Sequence, residues 1–189
     1  MFARTERLLL RPGWMDDAPA LARALADVRI ARGLATIPHP YALADAQAHL
    51  GTADVPRLPR MLIFERTGGA PDLVGGIGLV ADGDRATLGY WIRPDRWHHG
   101  LATEAGRAMV AIADMLGHAE LGATCFLDNP ASSAVLRKLG FGRTGNIRSC
   151  GSLGRSDRPL CRDMRRSAAA VGMPHPSGYR QDCKKAVPA

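Results

Sequence analysis

One segment restricts what this chain can become more than any other: Trp97-His98-His99-Gly100-Leu101-Ala102-Thr103-Glu104-Ala105. It places a glycine turn and small residues where a strand hands over to a helix. Upstream, Arg85 to Arg93 has strand character, Pro94-Asp95 punctuates a turn, and Ala102 to Leu116 takes up helical spacing. A helix that opens this way leaves its first N–H groups and the positive end of its dipole free to hold an anion. Gly100 and Ala102 keep side chains out of the way, so the segment predicts a cradle in which phosphates approach the backbone closely.

The 189 residues, 46% of them hydrophobic, suffice for one domain with a full core, expected over residues 1–165. Residues 166–189, rich in Ala, Pro, Gly and Lys, read as a poorly ordered tail. The net charge of +7 comes mainly from arginine, since Lys138, Lys184 and Lys185 are the only lysines. Such a balance attracts polyanions, among them phosphorylated cofactors. Scattered arginines and an aromatic content of 5% argue against a nucleic-acid partner, which needs a basic stripe with stacking rings. Cys125, Cys150, Cys161 and Cys183 match neither a CxxC pair nor a zinc framework, and a reduced intracellular chain is the natural reading. The run Leu8-Leu9-Leu10 is too short for a signal peptide, and no window is long enough to span a membrane. A cytoplasmic protein without membrane contact, monomeric or homodimeric, is expected.

Arg7 to Arg11 predicts a first strand, and Asp16 or Asp17 a cap for a helix with Leu21, Leu25 and Val28 on its apolar face. Arg29 to Tyr41, with Gly33 and Pro38-His39-Pro40, reads as irregular, and Asp45 to Leu50 as a short second helix. Met61 to Phe64, Leu73 to Leu79 and Thr87 to Ile92 predict an antiparallel meander. The next helix carries Ala105, Met109, Ile112 and Leu116 on one face and ends at Gly117. Ala123 to Leu127 is a further strand, after which Asn129 caps a helix that starts at Pro130 and runs to Leu139. Arg143 to Cys150 and Pro159 to Met164 would close the sheet as a hairpin around Gly154.

This order resembles the GNAT superfamily of acetyl-CoA-dependent N-acetyltransferases, and within it the RimJ/RimL branch. The resemblance rests on Thr5-Glu6-Arg7-Leu8-Leu9-Leu10-Arg11-Pro12, Leu73-Val74-Gly75-Gly76-Ile77-Gly78, Leu88-Gly89-Tyr90-Trp91-Ile92, Trp97 to Ala105, and Asn129-Pro130-Ala131-Ser132 through Leu139-Gly140-Phe141. It implies an α+β fold: a mixed, mostly antiparallel sheet of about six to seven strands flanked by about four helices. The superfamily's phosphate loop reads Gln/Arg-x-x-Gly-x-Gly/Ala; Trp97 stands at its first place, as is common in the RimJ/RimL branch. The resemblance further implies acetyl-CoA as co-substrate, held by backbone groups of His98, His99, Gly100, Leu101, Ala102 and Thr103. Tyr90, Trp91 and Ile92 would flank a splayed strand that pairs with the pantetheine arm, and Asn129 would contact the cofactor as well as cap its helix.

Adjacent His98 and His99 could also suggest a metal, but neighbours on a turn rarely face one ion and no third ligand is near, so no metal site is expected. Arg107 is either a phosphate ligand or a solvated arginine. Acetyl transfer needs a neutral amine, an oxyanion site and a proton for the leaving sulfur. A backbone N–H at Trp91 can serve the oxyanion, and Ser132 either protonates the thiolate or merely satisfies a free N–H. The tyrosine many GNAT enzymes place seven residues after the Asn is here Leu136, and the central strand lacks a carboxylate base. Glu65, Glu104 and His39 remain as base candidates. The acceptor should enter near Trp14 to Leu50, where Asp16, Asp17 and Asp45 suit a cation while Arg11, Arg29 and Arg32 suit an anion. The expected reaction is direct attack of a primary amine, a protein N-terminus or a small amine, on the thioester in a ternary complex. The alternatives are an aminoglycoside-type acetyltransferase and a non-catalytic acyl-CoA-binding module.

Overall fold

The computed structural model describes residues 1–52 and 55–168. Its centre is one sheet of β1 (Ala3–Arg4), β2 (Leu8–Arg11), β3 (Arg60–Glu65), β4 (Asp72–Asp82), β5 (Arg85–Ile92), β6 (Glu120–Phe126), β7 (Gly142–Ser149) and β8 (Leu160–Ser167). The spatial order is β1-β2-β3-β4-β5-β6-β8-β7. Every neighbouring pair is antiparallel except β5 with β6. The eight strands exceed the six to seven expected because the two residues of β1, too short to show a period, pair with Leu9 and Leu10.

Among the described residues five helices stand where about four were expected: α1 (Ala18–Leu25), α2 (Val28–Ala31), α3 (Leu43–Leu50), α4 (Leu101–Met115) and α5 (Pro130–Lys138). The predicted first helix breaks before Val28 because Asp27 turns extended (ψ 117°) and its carboxylate accepts from the Arg29 N–H, capping a new turn. Part of the segment expected to be irregular is therefore helical. Asp17 does not cap α1 through its side chain; its carboxylate takes the Arg11 guanidinium at 2.7 and 2.8 Å and the Trp14 N–H at 2.7 Å. The tail expected over 166–189 falls mostly outside the described residues, as does Cys183, while β8 continues through Arg166 to Ser167.

Strand alternation assigns the side chains to two cores. Leu8 and Leu10 of β2, Met61 and Ile63 of β3, and Ala86 and Leu88 of β5 face α4 and α5. Leu62 and Phe64 of β3 face α1 to α3, where Leu21, Leu25, Ile30 and Ala46 lie buried. The predicted face of α4 is the buried one, with Ala105 and Met109 fully covered. Gly117, at φ +79°, ends it as expected, and the His118 N–H turns back to the Ala113 carbonyl at 3.0 Å.

Gly106 lets α4 and α5 meet, since a Cβ there would lie 2.5 Å from Leu139 Cδ1. Gly106→Val should overpack this contact and cost on the order of 1–3 kcal/mol in chemical denaturation. Combining it with Leu139→Ala should cost less than the two separate losses added together.

Candidate active site

The handover from β5 to α4 is held from several sides. After Ile92 a single tight helical turn, Pro94–Arg96, leads to Trp97, whose indole Nε1–H donates to the Ile92 carbonyl at 2.7 Å. The chain then takes positive φ at His98 (64°) and again at Gly100 (78°), which directly precedes α4. A Cβ at Gly100 would come no closer than 3.7 Å to another side chain, so its left-handed backbone, not space, favours glycine. Glu104 accepts from Thr5 Oγ1 at 2.6 Å, from the Arg7 N–H at 2.9 Å and from Arg7 Nε at 2.8 Å, while Arg7 Nη1 donates to the His99 carbonyl. Arg96 pairs with Glu65 at 2.9 Å and Arg93 with Asp72 at 2.8 Å. The N–H groups of the first turn of α4 thus begin from a braced loop.

Beside this turn the sheet opens. β5 and β6 pair only at Ala86 with Leu121 and Thr87 with Gly122, although β5 runs on to Ile92 and β6 to Phe126. The outer edges stay occupied, β5 on β4 and β6 on β8. A groove of about 630 Å³ lies at the split. Its lining brings together Tyr90, Trp91, Ile92, His98, Gly100, Leu101, Ala102, Thr103, Asn129 and Ser132 from the sequence reading. His99 and Arg107 lie outside it, both exposed. Arg29, Arg32, Lys138 and Arg155 add a cationic rim in which Arg155 pairs with Asp128 at 2.8 Å.

The sequence pattern of the acetyltransferase (GNAT) domain matches residues 7–142. This chain belongs to the GNAT acetyltransferase family. It is 32% identical over 151 residues to YoaA of Bacillus subtilis, described as an uncharacterized N-acetyltransferase, covering 76% of this chain and 84% of that one. The fold is shared with a GNAT acetyltransferase from Bacillus anthracis at TM-score 0.74 and 22% identity, over 88% of this chain and 98% of that one. The RimL ribosomal L7/L12 α-N-protein acetyltransferase, solved with coenzyme A, superposes at 0.73 with 19% identity, over 88% and 98% of the two chains. Microcin C7 self-immunity acetyltransferase MccE, solved with acetyl-CoA and AMP, gives 0.72 and 15%, over 87% and 94%.

In this GNAT domain Asn129 Oδ1 accepts from the Ser132 N–H at 3.1 Å, the cap expected from Asn129-Pro130. Ser132 Oγ in turn lies 3.0 Å from the Tyr90 hydroxyl. Burial pushes the Tyr90 phenol up to about 12 against the smaller opposing effect of that hydrogen bond, so the ring stays protonated at neutral pH. Leu136 sits in the core with 1% exposure and has no access to the groove. The phenol near Ser132 therefore arrives from β5, a juxtaposition of residues 42 apart that no local motif announces. Of the base candidates, Glu65 and Glu104 are engaged in the ties above, and His39 lines neither this groove nor the next.

On the opposite sheet face a cleft of about 200 Å³ lies between α1, α3 and the centres of β4 and β5. It shares Tyr90, Trp91 and Leu34 with the groove. Asp16, Asp17 and Asp45 do not line it, and Asp45 accepts instead from the Ala42 N–H at 2.7 Å. Arg11 is likewise absent, being tied to Asp17 and stacked over Trp14 at 3.9 Å and Phe64 at 4.1 Å. His49, which the sequence reading passed over, lines it.

The Glu104 tie has a definite pH signature. Burial alone would raise its pKa, but the hydrogen bonds from Thr5 and Arg7 outweigh this and hold it below the usual 4.5. Its stabilising contribution is therefore present above pH 4.5 and lost as pH falls through the lowered value. Glu104→Gln should cost about 1–3 kcal/mol at neutral pH. In acid below the folded pKa, the gap between variant and wild type should close, as read from urea denaturation at each pH.

Proposed function

We propose that the groove binds acetyl-CoA and that the domain transfers its acetyl group to a primary amine entering from the α1–α3 face. The observation that carries this reading is the open edge of Tyr90 to Ile92 beside the first turn of α4. An extended pantetheine arm would add to β5 as a strand does. The dipole and free N–H groups of α4 would receive the pyrophosphate, with His98 and Gly100 to Ala102 supplying the donors, since the Thr103 N–H is already given to the Gly100 carbonyl at 3.1 Å. Arg29, Arg32, Lys138 and Arg155 suit the remaining phosphate charge. Coenzyme A in the RimL structure and acetyl-CoA in the MccE structure support the choice of ligand.

Because the Arg93 N–H pairs with the Val74 carbonyl, the alternation of antiparallel bonds gives the Trp91 N–H to Gly76 of β4, so the oxyanion donor expected at Trp91 falls instead to the N–H groups of Tyr90 and Ile92 on the open edge. Tyr90, kept neutral by burial and joined to Ser132, offers an O–H to the departing sulfur. This pair argues for an enzyme over a non-catalytic acyl-CoA-binding module. Among the described residues the lining of the second cleft holds no carboxylate, which argues against a polycationic aminoglycoside acceptor. An α-amine, with a pKa near ~8 against ~10.4 for lysine, is more often neutral at physiological pH and suits such a site. A protein N-terminus or a small amine is therefore the acceptor class, in keeping with the L7/L12 α-N-acetyltransferase among the structural relatives. We assign the activity to residues 1–165; the free, buried thiols of Cys125, Cys150 and Cys161 suit a reducing compartment such as the cytoplasm.

Calorimetry should show binding of CoA and acetyl-CoA; absence of binding of either at millimolar concentration sinks the reading. Tyr90→Phe should lower kcat on the order of 10²-fold while leaving CoA affinity nearly unchanged. Ser132→Ala should give a smaller loss, in the same thiol-release assay.

A further inference from the structure

The acceptor cleft has an uneven floor. Gly78 and Gly89 oppose each other across β4 and β5, one rung pair from Gly76 and Trp91. All four face α1 to α3, since the alternate residues Ile77, Leu88 and Ile92 are buried on the other side. At Gly76 the space a Cβ would take is filled by the Trp91 indole, 2.5 Å away. At Gly78 it is narrowed by Arg60 and the Pro59 carbonyl at 3.2 Å. At Gly89 nothing lies within 4 Å. The cleft is thus open above Gly89, close to the Tyr90–Trp91 rung it shares with the groove.

The walls are apolar, with Leu21 and Leu25 from α1 and Leu50 from α3. Besides Tyr90, whose hydroxyl is turned to Ser132, the titratable groups among the described residues of the lining are His49 and Arg60. His49 occupies the last turn of α3, a place where the helix dipole favours a cation. His49 is exposed at the rim of the cleft, and partial desolvation there, reinforced by the Arg60 charge from β3, nevertheless pushes its pKa below 6.5. Asp45, one turn earlier on α3, spends its carboxylate on the Ala42 N–H, and α1 presents only leucines to the cleft. The imidazole is therefore neutral at physiological pH, and its outer side reaches solvent.

We propose that this cleft selects acceptors whose amine carries a small, uncharged substituent lodged over Gly89, and that His49 is the base that takes the amine's proton. The proposal rests on the acetyltransferase reading above and adds the base and the size selection. Of the two protons an ammonium acceptor loses, the first passes to His49 and on to water, which frees the nitrogen lone pair. That nitrogen bonds to the thioester carbon, the C–S bond breaks, and its electron pair leaves on sulfur. The second proton released from nitrogen follows the first through His49 to water, while Tyr90 donates the proton that makes the thiol and is reprotonated from solvent through Ser132.

The test is acetyl-CoA-dependent thiol release with glycinamide, alaninamide, leucinamide and tryptophanamide, with CoA affinity and Tm measured in parallel. The wild type should favour the two small amides. Gly89→Val, whose Cβ enters open space and whose branching suits a strand, should keep Tm and CoA affinity while losing alaninamide turnover about tenfold or more. His49→Gln should lower kcat on the order of 10²-fold and remove the acidic limb of the pH profile, with CoA affinity unchanged. A His49→Gln profile identical to wild type, unaltered amide turnover in Gly89→Val, or no acetylation of any amide by an enzyme that binds acetyl-CoA would each overturn the proposal. Failure of the wild type to bind acetyl-CoA would instead remove the reading beneath it.

Discussion

The incomplete pairing of β5 with β6 is the constraint on which the site depends. A parallel neighbour cannot follow through a tight hairpin and needs a crossover, here α4. That crossover starts at the carboxyl end of β5, so the dipole and free N–H groups of α4 arrive where the strands have parted. Had β6 stayed in register to its end, the edge of Tyr90 to Ile92 would be consumed by sheet hydrogen bonds. β8 holds β6 along its outer edge through Phe126. β4 holds β5 in the same way through Ile92. The gap between them therefore survives without leaving either strand loose.

Keeping a loop with two positive φ values in one shape requires ties, and these explain charges that otherwise invite catalytic readings. Glu104 joins α4 to the turn between β1 and β2 through Thr5 and Arg7, and Arg7 reaches on to the His99 carbonyl. Glu65 and Asp72 take up Arg96 and Arg93 on the other side of the turn. A cradle built of backbone N–H groups gains affinity only if those groups are fixed before the ligand arrives. The carboxylates around the loop contribute that order rather than proton transfer.

What could be read beforehand followed local periodicity. The alternation in β3 to β5, the four-three-four spacing of α4 and the Asn129-Pro130 start of α5 are short-range patterns, and each element formed within a few residues of its expected ends. The Gly100 turn was legible for the same reason. What escaped depends on distant residues meeting. Tyr90 and Ser132 are joined by sheet register, and Arg155 meets Asp128 across 27 positions. The break before α2 turned on whether Asp27 would cap or continue a helix, a balance that composition does not decide. His49 drew no notice in the sequence, because only the folded cleft gathers it into one lining with Arg60 and the glycines of β4 and β5.

Acetyl transfer sets a geometric problem that the pleat of β5 can solve. A proton must leave the attacking nitrogen on one side of the carbonyl while another reaches sulfur on a different side, and one bulky group cannot do both. Successive residues of a strand point to opposite faces. Tyr90 turns toward α5 and meets Ser132, while Trp91 turns toward the α1–α3 face and covers Gly76. Both clefts touch the same two residues. Donor and acceptor would then meet at one peptide rung, and the backbone between Tyr90 and Ile92 becomes the natural site for the oxyanion. Because the donors there would be backbone N–H groups, the oxyanion site would not depend on which side chains flank it on either face.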